Sequence, residues 1–186
     1  MKKVVLVLAM VASTFGMNAQ EIYLDWSQGR SSVVVEPGKN QGKIYLDLND
    51  KGSYGLVISK GQGESLVTFI QEGFDKFEEW KATASEKNVT ELTKVISSKS
   101  YSGFFKYGGW KFGSSKLSMN INIKEGDAVC YLYASKMTAS DNRYMKSDSV
   151  LFYVDETLIG ELKGLLSAES IDLFIKGKNN VDDMFN

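Results

Sequence analysis

The sequence predicts an α+β fold: a single antiparallel, meander-like sheet with amphipathic helices packed on one face. Three observations carry that prediction. Apolar and polar residues alternate over 117–124, the period of a strand with one face on a core and one in water. Over 65–86 the apolar spacing lengthens to three and four, the period of an amphipathic helix. Strand-like segments follow one another through short turns, which disfavours a parallel sheet.

Taken in chain order, residues 1–19 read as a secretory signal peptide. Lys2 and Lys3 give a positive start, Val4 to Ala12 are continuously apolar, and a short stretch of small and polar residues follows. Cleavage is expected after Ala19; Met17 is bulky for its place, so cleavage after Gly16 is the alternative. No cysteine stands near the cut, which argues against a lipid-modified N-terminus. Residues 20–186 then form one domain, whose strands-then-helix order hints at two halves, 20–98 and 99–186. A lone cysteine forbids an internal disulfide, which fits a bacterial periplasm or exterior.

Short strands are expected at 21–26, 32–36 and 54–59. Between them, Ile44, Leu46 and Leu48 alternate with Tyr45, Asp47 and Asn49. The run Asn49-Asp50-Lys51-Gly52 then supplies a hairpin turn. Gly61-Gln62-Gly63-Glu64-Ser65 reads as a plain strand-to-helix turn. A phosphate-binding loop needs a third small residue where Leu66 stands, and Glu64 would repel phosphate. The helix at 65–86 carries Leu66, Ile70, Phe74, Phe77, Trp80 and Ala84 as its apolar stripe. A second helix is expected at 89–98, with Asn88 as N-cap and Glu91 three residues on.

The aromatic stretch 101–112 admits two arrangements. A hairpin turning at Gly108-Gly109 sets Tyr107 against Trp110, Phe105 against Phe112, and Lys106 against Lys111. A single long strand with a glycine bulge puts aromatics on both faces; it is favoured because the hairpin arms would be short. After 117–124, Lys124-Glu125-Gly126-Asp127 supplies a turn, with strands at 128–134 and 149–154. Asp155 caps a helix bearing Leu158, Ile159, Leu162, Leu165 and Leu166, and Ser167 caps another with Ile171, Phe174 and Ile175. The polar tail 176–186 is expected to fray.

Composition narrows the chemistry. The chain of 186 residues has no histidine and one cysteine, so Ser-His and Cys-His nucleophile pairs are excluded and a common zinc ligand is missing. No serine is followed three residues later by lysine. The loop beginning at Asp47 offers Lys51 and Ile58 where calcium needs oxygens. No cofactor or metal is therefore expected. Cys130 reads as a small buried hydrophobe. Removing 1–19 takes away Lys2 and Lys3 and no acid, leaving 20 basic and 23 acidic side chains. A net charge of −3 offers no field for nucleic acid. No segment reaches 18 apolar residues, so the chain is not expected to span a membrane.

What remains is surface. Phe104, Phe105, Tyr107, Trp110 and Phe112 form the densest aromatic run, set beside lysines. Tyr131 and Tyr133 share one face of their strand, and Tyr45 belongs to the corresponding face of its own. The candidate binding set is Phe104, Phe105, Tyr107, Trp110, Phe112, Tyr131 and Tyr133. The expected function is a non-enzymatic exported module that binds a protein or a glycan through an aromatic-bearing sheet surface. The alternatives are a glycan-acting hydrolase using carboxylates alone and a structural envelope protein without a small ligand.

Overall fold

The computed structural model describes the backbone of 20–26, 29–35, 43–47 and 54–172, with side chains at 54–58 and 61–172. The expected signal peptide, the turn at 49–52, Phe174, Ile175 and the tail 176–186 lie outside the described residues. The elements are β1 (Gln20–Trp26), β2 (Gly29–Val35), β3 (Lys43–Asp47), β4 (Tyr54–Ser59), α1 (Lys60–Glu86), β5 (Glu91–Lys106), β6 (Trp110–Lys124), β7 (Asp127–Ala134), β8 (Val150–Tyr153) and α2 (Glu156–Leu165). Among the described residues, eight strands join one sheet in chain order, each neighbour antiparallel. The α+β meander with helices on one face is the observed fold. Its element order is four strands and a helix, twice.

Both helices sit on the same side, α1 across β4–β7 and α2 against α1. Leu117, Met119, Ile121 and Ile123 of β6 point to that side, joined by Leu56 and Ile58 of β4. Leu66, Ile70, Phe74 and Phe77 meet them from α1, and Leu158, Ile159 and Leu162 from α2. Full burial of each large apolar side chain stabilises by about 1.5–3 kcal/mol relative to exposure. Asp155 caps α2 as the sequence predicts, its carboxylate accepting from the Leu158 amide at 2.8 Å. Ser167 does the same for the helical turn 168–172, accepting from the Ser170 amide at 3.1 Å.

Two helix expectations are corrected. α1 begins at Lys60, so Gly61-Gln62-Gly63 lies in its first turns instead of in a loop. Gly63 is needed for packing: a Cβ there would stand 2.7 Å from the Leu166 carbonyl oxygen. The expected helix 89–98 is the first half of β5. Asn88 has φ +52°, and it ends α1 where an N-cap was expected. The Val89 amide donates to Ala84 and the Asn88 amide to Ser85, at 2.9 and 3.1 Å. That is a Schellman termination with asparagine in the left-handed position. Beyond it, Thr90, Thr93, Val95 and Ile96 favour extended backbone. Pairing of 91–95 with 120–124 then outweighs any local helical tendency.

With 91–98 extended, the arms of the next hairpin are 16 and 15 residues long, and the objection to a hairpin disappears. The long single strand over 101–112 is therefore overturned. The loop is Tyr107-Gly108-Gly109, with Gly108 at φ +65°. Three loop residues shift the register by one from the two-residue hairpin considered above. Phe104 faces Phe112, Phe105 faces Lys111, and Lys106 faces Trp110. Lys106 and Lys111 thus fall on opposite faces, and their repulsion is avoided. Lys111 instead meets Asp141 at 2.7 Å.

The next turn is Glu125-Gly126, both at positive φ, joining β6 to β7 as a two-residue hairpin. Between β7 and β8, residues 135–149 fold back along the free end of β6. The Ser135 amide donates to the Lys116 carbonyl at 3.0 Å and the Ser140 amide to that of Phe112 at 2.8 Å. Gly103 and Gly113 admit this segment: a Cβ at either would lie 2.4 Å from Met137 Sδ or the Thr138 carbonyl oxygen.

Candidate functional site

Among the described residues no helix packs on the other face of the sheet, and strand parity decides which side chains it presents. On β6 the residues opposite to the core set are Trp110, Phe112, Ser114, Lys116, Ser118, Asn120 and Asn122. The register carries that parity across the sheet. Val95, Asn120, Tyr131 and Tyr153 form one row over four strands, and Ser98, Ser118, Tyr133 and Leu151 form the next. Val129 lies on the same face opposite Asn122. The Asn120 amide nitrogen donates to the Ser118 carbonyl at 2.7 Å, and both side chains are buried between their larger neighbours.

The apolar members of these rows stay open to solvent. Tyr153 is 59% exposed, Leu151 48% and Tyr133 36%, with Val95 and Val129 exposed beside them. Tyr131 is half-buried in their midst. The predicted tyrosine-bearing surface therefore exists around Tyr131 and Tyr133. Tyr45 does not join it: three strands separate β3 from β7, and the Tyr45 side chain lies outside the described residues. Sequence reading missed Tyr153 and Leu151 as members. Their strand was legible, but the face they share with Tyr131 and Tyr133 depends on the β7–β8 register.

The aromatic run around the β5–β6 hairpin is divided by the fold. Phe105 points to the helix side and is buried in the core, so it leaves the candidate set. Phe104 is on the outer face but 2% exposed, its ring meeting Trp110 edge-on with centroids 5.5 Å apart. It supports Trp110 and offers little contact surface of its own. Tyr107, Trp110 and Phe112 are exposed at this end. About six strand residues, on the order of 20 Å, separate them from Tyr133. They are a second aromatic group on the same face.

The electrostatics of the outer face are muted. On β5–β8 its acids are Glu91 and Asp127, in the row beside the Glu125-Gly126 turn, with Lys124 paired between them. Lys106 and Lys116 are its remaining charges. Side chains with shifted ionisation lie elsewhere. Burial pushes the Cys130 thiol up to about 12, with Glu78 adding to the effect. Burial alone raises Tyr101 to about 12. Burial also raises Tyr54, although its hydrogen bond to Ser115 opposes the shift. Asp141 is held below the usual carboxylate range by its hydrogen bond from Lys111. Among the described residues, no three His, Cys, Asp or Glu side chains gather as a metal site requires. No described helix is long and apolar enough to cross a membrane.

No protein-family model, curated protein or solved structure matches this chain.

Proposed function

We propose that the protein is an exported, non-enzymatic binding module whose outer sheet face docks a protein partner. The observation that carries this reading is the cross-strand cluster of Tyr131, Tyr133, Leu151 and Tyr153, flanked by Val95 and Val129. Tyrosines set among serines and asparagines supply rigid contact area with adaptable polar groups around it. The exposed Val95, Val129 and Leu151 favour a protein over a glycan, because aliphatic side chains gain by burial and offer nothing to sugar hydroxyls. Export is supported by the charged start and apolar run of residues 1–19. The carboxylate-only hydrolase finds no support on this face, where Lys124 stands between the two acids.

The test is an affinity measurement. A partner captured by the exported form from the envelope fraction of its own cells is purified and titrated against wild type and a Tyr131→Ser/Tyr133→Ser/Tyr153→Ser variant. The reading requires the variant to stay folded and to bind roughly tenfold more weakly or worse, as loss of central aromatic contacts does. Equal affinity, or capture of glycans alone, contradicts it.

A further inference from the structure

β8 ends the strand order, so among the described residues no strand lies on its far side. In an antiparallel ladder, successive residues turn their N–H and C=O alternately to one neighbour and to the other. The Val154 amide donates to the Cys130 carbonyl at 3.0 Å, which sets the phase. Val150, Phe152 and Val154 therefore face β7, while Leu151 and Tyr153 direct their backbone groups off the edge. Edge strands are usually blunted by lysine, proline, a bulge or a covering segment. β8 reads Val-Leu-Phe-Tyr and pairs with β7 without a register shift. The 135–149 segment lies along β6 instead. Charge sits at the two ends of β8: Asp148 precedes it and Asp155 and Glu156 follow, all exposed, with Lys146 the one base in 146–156.

We propose that the β8 edge accepts an extended segment of a partner protein as a ninth strand, with apolar residues at alternate positions and Lys or Arg at both ends. Backbone groups of Leu151 and Tyr153 hold it, its outer-face side chains rest on theirs, and its basic ends meet the acidic ends of β8. A second copy of this chain suits the edge less well. With Leu151 opposite Tyr153 of the copy, Asp148 falls opposite Glu156, acid against acid at both ends. The proposal shares with the outer-face reading the class of partner and the side chains of Leu151 and Tyr153; the outward backbone groups and the acidic ends are its own, and exchanging the charges that flank a single-strand probe tests them separately.

The probe is a fluorescent peptide, Lys-Lys-Val-Thr-Val-Thr-Lys-Lys, titrated against the exported form by anisotropy. Saturable binding is expected, at least tenfold weaker when glutamates replace the flanking lysines. Leu151→Pro removes an outward N–H and leaves the β7–β8 bonds intact, a placement edge strands tolerate. It should keep the melting temperature and weaken the probe at least tenfold. If Leu151→Pro fails to fold, Asp148→Lys/Glu156→Lys decides by reversing the flank preference. Absence of saturable binding, unchanged binding in folded Leu151→Pro, unchanged flank preference in the double variant, or a dimer that Leu151→Pro dissociates overturns the proposal.

Discussion

Gly73 of α1 lies so close to Met119 of β6 that a Cβ at 73 would stand 2.6 Å from Met119 Cγ and 2.9 Å from its Cβ. Met119 is fully buried, at the centre of the helix-facing side of the sheet. This approach seats the helix on one face and leaves the other free.

Gly73→Ala should therefore destabilise the protein. Alanine gains about 1 kcal/mol of helix propensity, but overpacking a full core costs about 1–3 kcal/mol. A clash that includes Met119 Cβ cannot be relieved by a distal rotamer change alone. Denaturant unfolding should show a net loss for Gly73→Ala, and because the two side chains touch, its loss and that of Met119→Ala should not add in the double variant. Gly160→Ala in α2, where a Cβ meets nothing within 4 Å, should instead stabilise by about 0.4–1 kcal/mol.

The end of α1 tests the corrected reading of 88–98. Asn88 occupies the left-handed position of a Schellman termination. Glycine there removes the Cβ cost of roughly 1–2 kcal/mol that asparagine only partly offsets. Asn88→Gly should raise the melting temperature. If Asn88 were an N-cap, the same change would lower stability by a few tenths of a kcal/mol.

Two buried tyrosines should respond oppositely to loss of their hydroxyls. Tyr54 Oη donates to the Ser135 carbonyl at 2.7 Å and shares a 2.9 Å hydrogen bond with Ser115. Tyr101 Oη is buried without a partner. Tyr54→Phe should cost about 0.5–1.5 kcal/mol, the net worth of a hydrogen bond, since Ser115 Oγ still donates to the Ser135 carbonyl at 3.2 Å. Tyr101→Phe should be neutral or stabilising in the same urea titration.

Stability should decline in alkali, with a determinable sign. The Cys130 thiol is raised from an ordinary 9.0 to about 12 in the folded protein. Below about pH 9 both folded and unfolded chains hold the proton, and the contribution of Cys130 is complete. As pH rises from there toward 12, the unfolded chain ionises first and that stability is lost. The raised Tyr101 adds a loss of the same sign above pH 10. Cys130→Ala should flatten the decline, as measured by unfolding at successive pH values. Native Cys130 should also resist thiol reagents at neutral pH.

What was legible in the sequence followed from period and local chemistry. The alternation around Leu117–Ile123 placed a strand and its core face, and Asp155 announced its helix. Asn88 misled because asparagine serves both N-caps and left-handed C-termini, and Glu91 happened to complete a capping pattern. That one error also removed the arms of the following hairpin, and so misplaced Phe104 to Phe112. Tyr131 and Tyr133 were legible as surface because their spacing shows within one strand. Leu151 and Tyr153 were not, since joining that surface depends on register between strands separated by a 15-residue connection, 135–149.

Whether the outer face is the working surface can be read by site-specific photo-crosslinking in the cells that make the protein. A benzophenone side chain is placed at Tyr153 on the outer face, or at Glu72, exposed on α1. A discrete crosslinked partner is expected from position 153 and none from position 72. A partner trapped from position 72 and not from 153 would contradict that role of the outer face.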